Sequence, residues 1–298
     1  MSNRTVILVT GATGVIGVEV CAELAGTPGV EVRAALHNPA KRGLLPDEVT
    51  TVPFAFEDPA TIDAALDGVD KLFLLCPGGP VGPPFTRAVV DRLKGHRVKH
   101  IVKQSSFTPM RQPQAPTDLW ALETEAMVRD TGIPWTFLQP PWCNQNFTRG
   151  YFVPMVAQGM LALPFGQGRS GWIDSRDVAA VAAKALLEPG HDGATYTLTG
   201  PELVSLADIA GILSEVAGRP IGYQHLTDEQ WVQGAAAMGQ PEEVAHATLA
   251  LISKTRDGHA EDLTDDVVRV TGREPRTFET FARDHQDAIR ALSGQGLG

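Results

Sequence analysis

Three glycines at three-residue spacing stand in Gly11-Ala12-Thr13-Gly14-Val15-Ile16-Gly17, immediately after the β-branched run Thr5–Val9. They lead into Val15, Val18, Ala22 and Ala25, which fall at helical spacing. A strand, a glycine turn and a helix in that order suit a phosphate ligand. The first glycine can take the tight turn, the second leaves room for a pyrophosphate against the backbone, and the third lets helix and strand pack closely. The helix N-terminus adds unpaired N–H groups and the positive end of its dipole. Gly11, Ala12, Thr13, Gly14, Val15, Ile16 and Gly17 therefore read as a dinucleotide cradle.

Which dinucleotide depends on the end of the next strand, where sites for NAD usually carry an Asp or Glu for the ribose hydroxyls. Here the chain reads Leu36-His37-Asn38-Pro39-Ala40-Lys41-Arg42, with no carboxylate. His37, Asn38 and Lys41 are candidate contacts for a 2′-phosphate, which favours NADP, with NAD as the alternative.

Other constellations do not assemble into chemistry. Cys21, Cys76 and Cys143 lie far apart and form no metal-ligand spacing. His96 and His100 straddle a predicted helix end and strand start, with no third ligand for zinc. Gly168-Arg169-Ser170-Gly171 lacks the spacing of a hydrolase nucleophile turn. Lys94, Arg97, Lys99, His100 and Lys103 read as a solvated basic face. No metal is expected.

The elements that must position the cradle follow from periodicity. Strands are predicted at Glu31–Leu36, Thr51–Ala55, Lys71–Cys76, His100–Gln104 and Trp135–Leu138. Helices are predicted from Asp58-Pro59, over about Phe85–Leu93, and over about Asp118–Thr131. This alternation implies right-handed crossovers and a parallel sheet. Beyond it, Ser175 is expected to cap a helix over Asp177–Leu187, and Thr195–Thr199 reads as a short strand. Ser205 with Asp208 and Thr227 with Gln230 are capping boxes, and a last helix follows Thr277. The fold class is α/β, a Rossmann-type doubly wound parallel sheet with a smaller α/β C-terminal lobe. Residues 1–140 are expected to bind the nucleotide and 141–298 to form the substrate lobe, some of whose segments return to the sheet.

The chain of 298 residues carries 25 Lys and Arg against 35 Asp and Glu, a formal charge of −10 that offers no footprint for nucleic acid. No apolar run reaches the length of a membrane span. The opening residues have no signal-peptide layout, and three scattered cysteines suit a reducing compartment. A cytoplasmic protein with a small-molecule partner is expected.

Together with the glycine turn, the phrases Val98-Lys99-His100-Ile101-Val102-Lys103-Gln104-Ser105-Ser106 and Thr136-Phe137-Leu138-Gln139-Pro140-Pro141-Trp142 resemble the NmrA-like family of atypical short-chain dehydrogenase/reductases. Asp174-Ser175-Arg176-Asp177-Val178-Ala179-Ala180, Thr195 to Pro201 and Thr271-Gly272-Arg273 extend the resemblance over nearly the whole chain. It is nearest to the branch of NAD(P)H:quinone oxidoreductases, triphenylmethane-dye reductases and iminium reductases. The resemblance implies NADP over Gly11 to Gly17, its 2′-phosphate near His37, where relatives often carry Arg. It also implies a nicotinamide side lined by Cys76, Pro77, Gln104, Ser105, Ser106, Gln139, Pro140 and Pro141.

Ordinary members of the wider class reduce ketones with a Tyr-x-x-x-Lys pair, the phenol protonating the nascent alkoxide. Here Tyr151, Tyr196 and Tyr223 are followed at that spacing by Met155, Gly200 and Thr227, and Ala121 and Glu125 take the dyad's helical places. Without a general acid worth roughly 10² to 10⁴ in rate, the fitting acceptors are conjugated and electron-poor: a quinone, an iminium ion or a dye. A planar acceptor would lie among Phe107, Trp120, Trp142, Asn144, Phe147 and Trp172, although aromatic residues at a junction also suit plain core packing. The alternative is an NADP-binding redox sensor of the NmrA type that does not turn over. No catalytic residue is assigned.

Overall fold

Parallel strands cannot be joined by a hairpin, so each must be followed by a crossover, and the crossover helices end up covering both faces of the sheet. The computed structural model, which describes residues 4–107, 116–237 and 239–292, has this arrangement. The chain runs β1 (Thr5–Val9), α1 (Gly17–Leu24), β2 (Val30–Leu36), β3 (Thr50–Pro53), α2 (Pro59–Leu66), β4 (Lys71–Leu74), α3 (Gly82–Arg92), β5 (His100–Gln104), α4 (Pro116–Arg129) and β6 (Trp135–Gln139). It continues through α5 (Asn146–Arg149), α6 (Val153–Gln158), β7 (Met160–Leu163), β8 (Arg169–Ser170), α7 (Ser175–Leu187), β9 (Ala194–Thr197) and β10 (Val204–Ser205). Last come α8 (Leu206–Ala217), β11 (Gly222–His225), α9 (Asp228–Ala237), α10 (Glu242–Arg256), α11 (Asp266–Thr271), α12 (Phe278–Asp284) and α13 (Gln286–Ala291).

Seven strands form one parallel sheet in the order β3-β2-β1-β4-β5-β6-β9. This is the Rossmann-type doubly wound α/β fold, and the strand order reverses between β1 and β4, where such sheets bind ligands. One face buries Val20, Cys21 and Leu24 of α1 with Val178, Val181 and Leu186 of α7. The other buries Ile62 and Leu66 of α2, Phe85 and Val89 of α3, and Met127 and Val128 of α4. Burial pushes the thiols of Cys21 and Cys143 up to about 12, so both stay protonated as small apolar side chains. The sheet borrows β9 and α7 from beyond residue 140.

A third, aromatic-rich core joins Phe147, Phe152, Phe165, Trp172, Trp231, Phe278 and Phe281 in a lobe over the carboxyl edge of the sheet. Two short sheets brace it, β8 with β10 and β7 with β11. The predicted capping boxes at Ser205 with Asp208 and at Thr227 with Gln230 are both present, and Thr277 caps α12.

Several expectations are corrected. α1 begins at Gly17, because the residues before it are still in the turn. α7 is capped by Asp174, whose side chain accepts from the Arg176 N–H, and Ser175 is its first helical residue. The basic face is not a face: Arg97 and Lys99 reach Asp70, but His100 and Lys103 are buried in the centre of the sheet. His96 meets Asp63 while His100 meets Thr136, so the two imidazoles do not converge.

Candidate active site

The site begins where β1 ends. Thr10 Oγ1 donates to the Leu75 carbonyl at 3.0 Å and accepts from the Leu75 N–H at 2.9 Å, locking the ends of β1 and β4 together. Gly11 takes φ +60°, in the left-handed region that favours glycine. A β-carbon at position 17 would lie 2.8 Å from Ala12 Cα and closer still to the Gly11 carbonyl oxygen, so α1 packs directly on the turn. Gly11 and Gly14 are exposed on the open side and Thr13 is half-buried, while Ala12, Ile16 and Gly17 face the core. No side chain caps α1; the Val18 and Val20 N–H groups already donate to the Gly14 and Ile16 carbonyls, so an anion would draw on the remaining N–H groups of the turn and the helix start. The geometry fits a pyrophosphate.

A hollow of about 190 Å³ lies beside the turn, lined by Val15, Ile16, Leu75, Pro141, Cys143 and Asn146. Leu75, Pro141 and Asn146 also line a larger cavity of about 650 Å³ that opens over the ends of β4, β5 and β6. A nucleotide laid over the turn would therefore reach the larger cavity with its nicotinamide end.

At the other end His37, Asn38 and Lys41 are exposed beyond β2. Asn38 Oδ1 accepts from the Ala40 N–H and so caps the short turn that follows. Arg42 is not free to take a phosphate: its guanidinium donates to the carbonyls of Leu45, Pro46, Asp47 and Val49. Lys41 and His37 are the cationic or protonatable groups left there.

The large cavity brings together Cys76, Pro77, Gln104, Ser105, Ser106, Pro140, Pro141, Trp120 and Trp142. Ser105 Oγ donates to Glu125 at 2.6 Å, and Gln139 Nε2 donates to the same carboxylate oxygen at 2.9 Å. Arg129 donates to the other oxygen at 3.0 Å. Gln139 is thus engaged behind the cavity wall, and the Ser105 proton is committed to Glu125. Ala121, one turn earlier on α4, lies on the wall itself.

Of the sequence candidates, Trp172, Phe147 and Asn144 lie in the core and not on the wall, whereas Trp142 lines it. Trp142 stacks on Trp172 with ring centroids 5.7 Å apart and donates its Nε1–H to Thr255 Oγ1 at 3.1 Å. Trp172 is buried behind it, donating to the Val204 carbonyl, and Phe147 is buried against Phe152 and Phe278. Asn144 is fully buried, two residues short of the asparagine that does line the cavity. Phe107 borders a small side hollow with Leu251 and Lys254.

Sequence reasoning missed Lys103, Asn146 and Tyr151, all of which line the large cavity. The Tyr151 hydroxyl is pushed upward by burial, against a hydrogen bond with Gln240. The roof is α10, through Val244, Ala247, Thr248 and Leu251. A buried ion pair between Lys254 and Asp118 ties α10 to α4, and Lys254 also donates to the Phe107 carbonyl at 3.2 Å.

The fold and turn define a Rossmann-type dinucleotide-binding protein with a roofed cavity beside the nucleotide track. Comparison with known families agrees, the NAD(P)H-binding family matching residues 11–189. The chain belongs to that family, in its NmrA-like reductase branch. It is 37% identical over 288 residues to the NAD(P)H azoreductase of Xenophilus azovorans, covering 96% of this chain and 99% of that protein. Among solved structures it is similar to the Escherichia coli NADPH-dependent quinone oxidoreductase complexed with NADPH, with TM-score 0.78 and 27% identity over 94% of this chain and 99% of that one. The Citrobacter sp. triphenylmethane reductase complexed with NADP(H) gives TM-score 0.76 and 27% identity, over 92% and 98%. Among the described residues no helix is long and apolar enough to cross a membrane.

Proposed function

We propose that this protein is an NADPH-dependent reductase that hands hydride to a planar, conjugated, electron-poor acceptor. One observation carries the reading: the glycine turn adjoins a cavity of about 650 Å³ walled by Trp120 and Trp142 and by backbone-rich loops. The similar azoreductase, quinone oxidoreductase and triphenylmethane reductase support it by their names. NADP is preferred over NAD because no carboxylate follows β2, where His37 and Lys41 stand beside Asn38.

In this reading residues 1–140 hold the nucleotide and residues 141–298 close over the acceptor, with β9 and α7 returning to the sheet. Gly11 to Gly17 bind the pyrophosphate, and the reduced nicotinamide, when bound, supplies hydride. The Leu75–Gly82 loop, Gln104, Ser105, Ser106, Pro140, Pro141 and Asn146 hold the nicotinamide side in register. Trp120 and Trp142 present flat apolar surface for the acceptor ring, and α10 excludes water from above. Catalysis rests chiefly on placement, since Ala121 and Glu125 stand where a Tyr–Lys dyad would be.

The test is NADPH oxidation with a panel of quinones, azo dyes, triarylmethyl dyes and cyclic iminium ions. Turnover of conjugated acceptors with little reduction of simple ketones supports the reading. Tight NADPH binding with no oxidation above background by any acceptor would favour a redox sensor instead.

A further inference from the structure

Lys103 is the charged residue the mechanism above leaves unused. It is the next-to-last residue of β5, in register with Leu74 on one side and Phe137 on the other, and is 1% exposed. Among the described residues its ammonium makes one hydrogen bond, to the Gln104 carbonyl at 3.2 Å, and no ion pair. Glu125 acts on it only from a distance, and both Glu125 oxygens are already taken by Ser105, Gln139 and Arg129. Among the described residues the cavity wall includes Lys103 but no Asp or Glu. A buried ammonium with unused donors is costly to keep. Here the lysine is part of the wall of the space where an acceptor would lie.

We propose that Lys103 is the electrophilic group of the acceptor site. Its ammonium hydrogen-bonds, and then protonates, the heteroatom on which negative charge gathers as hydride arrives. This rests on the reductase reading and narrows it: neutral acceptors whose reduction creates an anion, quinones and azo compounds, are preferred over preformed cations such as iminium ions and triarylmethyl dyes. With an azo acceptor, hydride forms an N–H bond to one nitrogen, the N=N π pair moves onto the other, and an N–H bond of Lys103 breaks to protonate it. With a quinone, hydride adds at one carbonyl oxygen and the conjugated pair moves to the far oxygen, which takes the same proton. A proton from water then restores the ammonium. Each turnover consumes one acceptor, one NADPH and one proton. Burial holds Lys103 below the ordinary lysine range, against the pull of Cys76 and Glu125, which makes it a stronger acid than a surface lysine.

The experiment compares wild type with Lys103→Met, which keeps the chain length and removes the charge, and with Lys103→Arg, which keeps the charge. The first readout is turnover with menadione and an azo dye against a triarylmethyl dye. Lys103→Met is expected to lower kcat for the neutral acceptors by about 10²-fold while sparing the cationic dye and the KM for NADPH. The second readout needs no cofactor: quenching of protein tryptophan fluorescence by lawsone, an anionic hydroxynaphthoquinone, and by N-methylacridinium, a planar cation. Wild type and Lys103→Arg should favour the anion, and Lys103→Met should weaken it by about tenfold, in line with loss of one charged contact. Equal losses on neutral and cationic acceptors, unchanged discrimination between the two probes, or an effect confined to NADPH affinity would overturn the proposal. If no acceptor supports NADPH oxidation by wild type, the reductase reading fails, and the fluorescence titration still decides whether Lys103 selects anions.

Discussion

Adding one methyl group at each of three glycines separates the roles of the turn. At Gly17 a β-carbon would meet backbone on two sides, Ala12 Cα at 2.8 Å and the Gly11 carbonyl oxygen closer still. Neither atom can rotate away, so α1 must lift off the turn. An overpacked site of this kind costs about 3 kcal/mol, which for a chain of this size lowers Tm by roughly 5 °C. At Gly14 the nearest atom is the Gly11 oxygen at 3.2 Å and φ is unexceptional, so an alanine requires that carbonyl to give by only a few tenths of an ångström. The new methyl would then stand on the exposed side of the turn, where a pyrophosphate must approach the backbone. Gly14→Ala should therefore keep wild-type stability within about 1 kcal/mol and weaken NADPH about 10²-fold, or ~2.7 kcal/mol. Gly211, exposed in α8 with nothing near it, is the control, and alanine there should add up to about 1 kcal/mol of stability. Thermal unfolding and calorimetric titration of NADPH read all three variants. Wild-type NADPH affinity in Gly14→Ala would refute the placement of the nucleotide, and wild-type stability in Gly17→Ala would refute the close packing of helix on turn.

Three further outcomes are expected. Trp142→Leu should lower kcat/KM for planar acceptors about tenfold, the scale of one lost aromatic contact, and leave NADPH affinity unchanged in the same titrations. Lys254→Met breaks the buried pair with Asp118 and should cost about 3 kcal/mol in urea unfolding; unchanged stability would mean the pair does not anchor α10. Burial raises the Asp174 carboxyl, but hydrogen bonds from the Arg176 side chain, the Arg176 N–H and Gln145 outweigh it and hold the group below the ordinary range. A depressed carboxyl stabilises fully above the unfolded value of about 3.9 and loses that contribution as pH falls through its lower folded value. Asp174→Asn should flatten this acid limb in thermal melts at graded pH, and an unchanged limb would count against it.

Much of the fold was legible because its signals are local. Alternating strands and helices, the glycine turn, and the caps at Ser205, Thr227 and Thr277 each lie within a few residues. The site was less legible because a strand buried on both faces has no readable alternation. Lys99, His100 and Lys103 look like one charged patch in the sequence, yet the entry to β5 and the strand itself place them in three different surroundings: solvent beside Asp70, the core against Thr136, and the wall of the large cavity. The aromatic residues misled for a related reason. Trp142 and Trp172 stack on each other, so one is wall and the other support, and nothing in residue type distinguishes them. Tyr151 and Asn146 come from the lobe, where α5 and α6 are a turn or two long and carry too little periodicity to orient a side chain. The role of Arg42 was hidden too, since four carbonyl partners beyond it claim its guanidinium.

The most direct measurement is a single turnover: NADPH-saturated protein mixed with excess menadione while the absorbance of the reduced nicotinamide is followed. The account predicts a single decay that consumes all the bound NADPH and yields an equal amount of hydroquinone. Stable absorbance from NADPH that calorimetry shows to be bound would contradict it.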